Sequence, residues 1–296
     1  MSTMVKRIFL CVIGMIAGLA SWPFAELSLF GQEYFPSYLM FSIFFGVIFG
    51  LFMGSFFAVS EGIFSANRFK IISGMLTGAV VGALGGIAGF LTGQAMLFIL
   101  GNYFLMSAND FNKIGLPISR AIGWAILGIF VGSTEGVRSR SSTKIIVGIL
   151  GGFIGGLFGG FILEYSKLYI SNIILARFIG LLIFGFCIGL FYGFVEKSIS
   201  KGVLRLLNGK NKGKEFFVNQ RKMKIGHSGG NDIVLKEYDG VENVHANILV
   251  KGNEVIIKNI SKNKQVKVND DVIQEHVLKM EDVVKIGEAK FHYRYN

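Results

Sequence analysis

The residues best suited to acid–base or metal chemistry are few and stand far apart along the chain. All four histidines, His227, His245, His276 and His292, follow residue 200, whereas the carboxylates before that point are isolated from one another. A Ser-His-Asp relay, a carboxylate pair or a zinc centre needs such groups at close and regular spacing, and no glycine-rich phosphate loop is present either. The sequence therefore predicts no enzyme, no metal site and no cofactor.

The cysteines and the charge distribution argue against two other kinds of site. Cys11 and Cys187 lie in apolar runs without a C-x-x-C partner, which favours small core residues over a disulfide or metal framework. The net charge of +11 is spread along the chain, with 12 basic and 7 acidic residues up to residue 200 and 18 and 12 after it. Basic residues at the edges of apolar segments usually record membrane topology, so nucleic acid is not a predicted partner.

Long apolar segments occupy the first 200 residues. Hydrophobic residues make up 52% of the chain, charged residues only 17%, and the mean hydropathy is +0.55. Six stretches approach or exceed the roughly 20 residues that cross a bilayer: about 8–25, 37–60, 71–105, 118–136, 145–171 and 176–195. The first resembles a signal peptide, but Trp22-Pro23-Phe24 offers no cleavage site and we count it as a span. Residues 94–106 fit a tilted extension, a re-entrant piece or an interfacial helix.

Basic residues in the short connections set the predicted orientation. Four groups, around Lys6, Arg68, Arg138 and Lys197, alternate with the spans and must therefore share one side of the membrane. We expect the intervening connections to carry Glu26 and Glu33, Asp110 and Lys113, and Glu164 and Lys167. Because these lack a basic cluster, the sequence predicts a multi-pass protein of the cytoplasmic (inner) membrane with both termini in the cytoplasm.

A repeat with an offset of 74 residues runs through the glycine-rich part of the chain. It predicts two helical hairpins at about residues 44–98 and 118–170. The matching positions include Gly54, Glu61, Gly62 and Gly78 with Gly128, Glu135, Gly136 and Gly152, and a degenerate third start appears at Gly185, Gly189 and Gly193 with Glu196. Glycine at every fourth position lets helices pack closely, within the chain or between copies of it. A pore or gate lined by the glycine faces is the alternative.

Three glutamates, Glu61, Glu135 and Glu196, recur at the inner ends of predicted helices. We expect solvated ion pairs at the membrane interface with neighbouring basic residues such as Arg68, Arg138 and Lys197. An ion-conducting role is the alternative, since an ionisable residue near the membrane is often functional.

After about residue 202 the pattern changes to short alternating runs separated by turn residues, which indicates a soluble β domain. The predicted strands are Val203 to Leu207, Glu215 to Val218, Lys222 to Ile225, Ala246 to Val250, Val255 to Lys258, Gln265 to Val268, Val283 to Ile286 and Ala289 to Tyr295. A hairpin turn is predicted at residues 251–254. The fold class is thus a glycine-rich helical membrane bundle at 1–200 followed by an all-β sandwich at 201–296.

The tail resembles the forkhead-associated (FHA) domain over its whole length. The motifs that carry the resemblance are Lys224-Ile225-Gly226 with Asn231-Asp232-Ile233, Val241 to His245 with Ala246-Asn247-Ile248, Ile260 to Asn263 with Val268-Asn269, and Glu281 to Gly287. With the helices in front of it, the chain looks like bacterial membrane proteins that carry a cytoplasmic FHA domain. The resemblance implies a β-sandwich whose loops bind phosphothreonine peptides.

The resemblance also places the candidate binding residues, which are Gly226, His227, Ser228, Glu242, His245, Ser261, Asn263 and Lys264. The family's phosphate-binding Arg and Ser are His227 and Glu242 here, and Lys264 follows Asn263 where the family has Gly. His245 matches a residue that braces the loops. Since Glu242 would bring an anion close to a phosphate, we predict phospho-independent binding. A shifted phosphate site that uses His227 with Lys262 or Lys264 is the alternative.

These patterns favour a signalling protein that displays a degenerate FHA domain to a cytoplasmic protein or peptide, with the lipid bilayer as its anchor. The second hypothesis is a channel or transporter regulated by the same domain. The long membrane part permits transport, but the sequence shows no charge in the middle of a span and no proline-broken helix.

Overall fold

The computed structural model describes residues 3–65, 67–103 and 111–295. The chain divides into two compact units, one of Arg7–Val195 and one of Met1–Lys6 with Glu196–Asn296.

Seven α-helices form the described part of the first 200 residues. Their bounds are α1 Thr3–Phe30, α2 Tyr38–Ala58, α3 Ser60–Phe64, α4 Arg68–Tyr103, α5 Leu116–Ser139, α6 Ser142–Tyr169 and α7 Ile173–Ile199. A 3₁₀ turn covers Gln32–Tyr34 and a π-helical turn covers Phe111–Gly115. Within the described ranges, six of the helical segments are long and apolar enough to cross a membrane, which confirms the predicted number of long apolar helices.

Polar side chains cap the starts of four helices. The side-chain oxygens of Ser37, Asn67, Ser141 and Asn172 accept hydrogen bonds from backbone N–H groups in the first turns of α2, α4, α6 and α7 at 3.0 to 3.4 Å. Such caps satisfy donors that have no partner inside a helix. Short polar residues between the apolar runs thus fix where each of these four helices begins.

Six long helices form a closed ring in the order α1, α2, α4, α5, α6, α7. Helix α2 packs on α4, α4 on α5 and α5 on α6. Helix α7 packs on α6 and on α1 through glycines. Gly155 of α6 lies against Ile188, and Gly14 of α1 lies against Gly185. The ring is completed where Phe24 of α1 stacks on Phe52 of α2, with ring centroids 3.6 Å apart.

Large side chains fill the centre of this ring. Phe49, Met53, Leu127 and Phe184 are each at most 1% exposed. The Trp124 ring lies 5.2 Å from the Phe49 ring and 5.0 Å from the Phe184 ring. The glycine faces pack against neighbouring helices, so their role in this structure is close helix packing rather than lining a pore.

Helix contacts recur at the 74-residue offset. Gly54 packs on the backbone of Gly78 as Gly128 packs on Gly152, and Gly62 meets Ile71 as Gly136 meets Ile145. The third start follows the same scheme with a different partner: Gly185 and Gly189 of α7 pack on Gly14 and Leu10 of α1. The N-terminal helix therefore serves as the second helix of the third hairpin, which explains how the ring closes.

The structure corrects the predicted positions of several charged residues. Glu26 lies inside α1, and both Glu164 and Lys167 lie inside α6 rather than in connections. Residues 71–103 belong to one continuous helix, while residues 104–106 and Asp110, for which predictions were also made, lie outside the described residues.

Buried bonds replace the solvated ion pairs expected at the inner helix ends. Glu135 is 7% exposed and accepts hydrogen bonds from Arg138 at 2.6 Å and Lys144 at 3.2 Å, so the Arg138 pairing is confirmed but the exposure was wrong. Glu196 is 2% exposed and accepts from Lys6 at 2.8 Å and from the Asn219 amide at 3.0 Å. Neither partner of Glu196 was expected.

The remaining unit contains a β-sandwich of two sheets. Its strands are β1 Val203–Leu206, β2 Glu215–Phe217, β3 Lys222–Gly226, β4 Ile233–Val234, β5 Ala246–Lys251, β6 Glu254–Asn259, β7 Val266–Val268, β8 Asp271–Ile273, β9 Glu275–Val277, β10 Val283–Ile286 and β11 Ala289–Arg294. One sheet has the order β2-β1-β11-β10-β7-β8 and the other β4-β3-β5-β6-β9. All eight predicted strands are present. The fold class, long apolar helices followed by a β-sandwich, is confirmed.

Alternating apolar residues of both sheets form the core of the sandwich, with Leu204, Ile225, Ile248, Ile286 and Phe291 at most 1% exposed. The predicted hairpin joins β5 to β6, where Lys251 pairs with Glu254 and Gly252 has a φ of +62°. Glycine adopts this left-handed conformation at little cost. The predicted domain ranges, 1–200 and 201–296, stay a prediction.

Candidate peptide-binding site

Three loops of the sandwich meet at one end of the second sheet. We name them loop 1 (residues 227–232, after β3), loop 2 (residues 235–245, before β5) and loop 3 (residues 260–265, after β6). Strands β3, β5 and β6 are neighbours, and Ala246 pairs with both Ile225 and Asn259. Because the end of β3, the start of β5 and the end of β6 lie side by side, all three loops emerge together.

His245 connects the three loops through its backbone and its side chain. Its amide donates to the Ile225 carbonyl at 2.8 Å, and its own carbonyl accepts from the amides of Ile260 and Ser261 at 3.0 and 3.1 Å. The ring is fully buried and its Nδ1 accepts from the Glu242 amide at 3.3 Å. The structure therefore gives His245 the position expected of a bracing residue.

Burial lowers the pKa of His245 below its ordinary value, against opposing contributions from the Gln265 backbone and from the charge of Glu242. A buried imidazole with a lowered pKa is neutral at physiological pH. His245 thus orders the loops and supplies no positive charge for an anion.

A second brace joins loops 1 and 2. The Asn231 side chain is 2% exposed and donates to the Asn243 carbonyl at 2.6 Å. Gly226 lies directly beneath this bond: a Cβ there would come within 2.8 Å of the Asn231 amide nitrogen and would overlap the Asn243 carbonyl oxygen. The glycine is required because the two loops cross at van der Waals distance.

Loop 3 is held by its own side chains. Asn259, which is 7% exposed, donates to the Lys264 carbonyl at 3.0 Å and accepts from the Ser261 amide at 3.0 Å. The Ser261 hydroxyl in turn accepts from the Lys264 amide at 2.8 Å. These bonds leave the side chains of Asn263 and Lys264 exposed at the tip.

The eight predicted site residues fall into two groups. Gly226 and His245 are buried and position the loops, whereas His227, Ser228, Asn263 and Lys264 are exposed. Glu242 and Ser261 are partly exposed. All eight belong to the three loops or the strand ends that carry them. Their exposure does not show that these side chains bind a partner together, so their joint action stays a prediction.

Asn231, Asn243 and Asn259 were not predicted to belong to the site. The side chains of Asn231 and Asn259 bond to backbone groups, which is a common use of asparagine in turns, whereas Asn243 contributes its backbone carbonyl. The available sequence signal was Asn259 at the end of the alternating run of β6.

Several backbone amides of the loops are already used inside the molecule. The amides of His227 and Ser228 donate to the carbonyls of Glu242 and Asn243 at 2.9 and 3.1 Å. The Glu242 amide donates to the His245 ring. These three amides are therefore not free to bind an anion.

Comparisons with known proteins agree with this description of the tail. Residues 205–295 match the Yop-YscD cytoplasmic-domain family, described as an inner membrane component of T3SS, cytoplasmic domain. The match covers the β-sandwich and leaves the helices unmatched. None of the curated proteins matches the chain.

Solved FHA domains are similar to the same region. The FHA domain of a Chlamydia trachomatis protein is 25% identical, covers 32% of this chain and 97% of its own, and gives a TM-score of 0.30. The cytoplasmic domain of the T3SS sorting platform protein PscD from P. aeruginosa is 17% identical, with 32% and 79% covered and a TM-score of 0.29. An FHA domain from Arabidopsis thaliana is 18% identical, with 33% and 87% covered and a TM-score of 0.30.

Proposed function

We propose that the chain is a membrane-anchored interaction protein whose sandwich binds a cytoplasmic protein or peptide through loops 1 to 3 without requiring phosphorylation. The family match to an inner membrane component's cytoplasmic domain supports an interaction module at a membrane. The observation that carries the proposal is the ordered loop cluster around His245, which presents exposed side chains on a braced backbone. Ordered loops lose little conformational entropy on binding.

Phospho-independence is supported by the chemistry of the loops. Phosphate groups are held best by guanidinium forks, hydroxyl donors and free amides. Here Glu242 stands where the family has a hydroxyl, His227 stands where it has Arg, and the amides of His227 and Ser228 are engaged by loop 2. A polar peptide surface suits these groups better than a dianion.

The proposal includes both termini in the cytoplasm. The basic turns near Arg68 and Arg138 and the first residues of α1 lie at one end of the bundle, because α1, α4 and α6 run away from it and α2, α5 and α7 return to it. The positive-inside rule places that end in the cytoplasm. The glycine faces are engaged within the chain, so an oligomer formed through them is not part of the proposal.

Peptide titration of the full chain in lipid nanodiscs tests phospho-independence. Phosphothreonine peptides and their unphosphorylated twins are expected to bind with affinities within about twofold of each other, since no charge-assisted bond to phosphate is formed. The double variant His227→Arg with Glu242→Ser restores the family's residues and should gain a preference of about tenfold or more for the phosphorylated form. A strong phosphate preference in the unaltered chain would overturn this part of the proposal.

Site-specific crosslinking in native membranes tests whether the loop cluster is the contact surface. A photoreactive side chain at Asn263 should crosslink a defined protein partner. The matched control is Glu254, an exposed residue at the opposite end of β6. Equal crosslinking from both positions, or none from position 263, would contradict the assignment of the loops.

The alternative function is transport by the bundle with the sandwich as regulator. One observation favours it: Glu164 is a buried carboxylate inside α6, a feature that the sequence did not reveal. Solute flux into proteoliposomes that changes when Glu164→Gln is introduced would support transport. The filled centre of the ring argues for the anchor role.

A further inference from the structure

A cavity of about 460 Å³ lies within the helical unit, at the end of the bundle away from the basic turns. It is formed where α1, α4 and α6 end and α2, α5 and α7 begin. Its volume lies in the range of about 300 to 1,000 Å³ that is typical of small-molecule sites. Its lining residues lie far apart in the sequence, so no local sequence pattern indicates the cavity.

One wall of the cavity is apolar and aromatic. Phe45, Phe49, Phe90 and Trp124 line it. The Trp124 ring lies 5.5 Å from the Phe90 ring and 5.2 Å from the Phe49 ring. These rings close the cavity on the side of the bundle centre, so an apolar group that entered would stop against them.

Charged side chains form the other part of the lining. Arg120, Glu164, Lys167 and Arg177 all border the cavity. Arg177 is neutralised by Glu26, which accepts two hydrogen bonds from its guanidinium, each 2.7 Å long. That pair contributes no net charge.

Among the described residues that line the cavity, the remaining charges leave one positive charge in excess. Glu164 is 1% exposed and accepts hydrogen bonds from Lys167 at 2.7 Å and from the Trp124 indole at 2.9 Å. Arg120 lies further away, with Nη1 3.4 Å from the carboxylate, and its side chain is 37% exposed. One carboxylate therefore faces two cations, and Arg120 is the cation that is less tightly held.

We propose that this cavity binds a monoanionic amphiphile, a phosphate or carboxylate head group with a short hydrocarbon part attached. Arg120 pairs with the anionic head, and the hydrocarbon packs against Phe49, Phe90 and Trp124. A guanidinium with free N–H donors suits such a head group, because it can form two parallel hydrogen bonds to it. The head group of a membrane lipid and a soluble amphiphile both have this chemistry.

Trp124 provides a direct probe of occupancy in the full chain. Replacing the second tryptophan, Trp22→Phe, leaves Trp124 as the single source of indole fluorescence. The purified protein in a non-ionic detergent is titrated with dihexanoyl-phosphatidylglycerol as the lipid arm and with octanoate, a monoanionic carboxylate, as the soluble arm. Dihexanoyl-phosphatidylcholine and acetate are the controls that lack, respectively, the net charge and the hydrocarbon.

We expect a saturable change in Trp124 emission with one or both anionic amphiphiles and at least tenfold weaker binding of both controls. Arg120→Gln should weaken binding at least tenfold, Arg120→Lys should retain most of it, and Arg68→Gln at the opposite end of the bundle should leave it unchanged. A thermal melt of each variant distinguishes lost binding from lost folding, and the Arg120→Lys variant keeps the charge if Arg120→Gln fails to fold. No saturable change, equal binding of phosphatidylcholine, or unaltered binding by Arg120→Gln would overturn the proposal.

Discussion

Replacing His245 with alanine should free the three loops of the sandwich while the strands remain paired. The substitution removes the acceptor of the Glu242 amide and a ring that is 0% exposed. The lost hydrogen bond costs about 1 kcal/mol, and the unfilled space of a deleted buried ring costs about 2 kcal/mol more. Since about 1.4 kcal/mol is a factor of ten, local opening of the loops should become roughly 100-fold more frequent.

Hydrogen–deuterium exchange of the full chain measures this opening peptide by peptide. Peptides covering residues 241–246 and 259–262 should exchange faster in His245→Ala, while peptides from β10 and β11 should change little. His227→Ala is the matched control, because it removes the same type of side chain from an exposed position of loop 1. Equal effects of the two substitutions would refute the bracing role of His245.

Three further predictions concern packing, the second brace and pH. Gly128→Ala places a methyl group against the Gly152 carbonyl and should lower the melting temperature of the full chain in detergent by several degrees. In the control Gly93→Ala the new methyl would have no neighbour nearer than 3.6 Å, so this variant should be neutral or slightly stabilising. Asn231→Ala removes the 2.6 Å bond to loop 2 and should speed exchange of loops 1 and 2 by about tenfold; unchanged exchange would contradict the brace. His245 has a pKa below its ordinary value of 6.5, so the unfolded chain binds more protons than the folded one below that pH. The sandwich should therefore lose stability as pH falls below about 6.5. His245→Ala should remove this loss when the measured exchange is corrected for the intrinsic exchange rate at each pH.

Asp282 adds a pH dependence at lower pH. Burial would raise the pKa of Asp282, but hydrogen bonds from the Lys279 amide, the Asn269 side chain and His276 lower it below its ordinary value of 3.8. The stabilisation is therefore complete above about pH 4 and is lost as pH falls through the lowered value. Because the bonding partners of Asp282 lie outside loops 1 to 3, its effect should be separable from that of His245 by the peptides affected.

The helices could be predicted from the sequence because their signals are local. Apolar length gives the number of spans, and short polar residues such as Ser37 and Ser141 supply caps at the predicted starts. The strands with clear alternation were found for the same reason. The missed strands, β4, β8 and β9, have two or three residues each, and β8 and β9 are largely exposed, so no alternation marks them.

The charged part of the cavity could not be predicted, because its contacts join distant parts of the chain. Glu164 is bonded to Trp124, forty residues earlier, and Arg177 to Glu26, 151 residues away. In the sequence, Glu164 and Lys167 look like a connection because charge normally ends a span. Helix α6 continues past them to Tyr169, and α5 supplies Arg120 and Trp124 as the partners that make the burial of Glu164 tolerable.

The likeness to FHA domains predicted which residues of the tail lie at the loops, but the physical roles divide differently from the motif. Gly226 and His245 are structural in this chain, and the asparagines that complete the bracing have no place in the phosphate-binding pattern. The spacing of motif residues in the sequence locates a site. Which of those residues brace the loops and which contact a partner depends on the hydrogen bonds they already form within the folded domain.

We propose that the bundle lies in the cytoplasmic membrane and that the sandwich lies in the cytoplasm. Cysteine labelling with a membrane-impermeant maleimide in intact cells tests this topology, in a background where the buried Cys11 and Cys187 are replaced by alanine. We expect that Glu33→Cys, in the connection after α1, is labelled in intact cells, and that Asn263→Cys is labelled only after the cells are opened. Labelling of Asn263→Cys in intact cells, or recovery of the chain in the aqueous fraction, would contradict it.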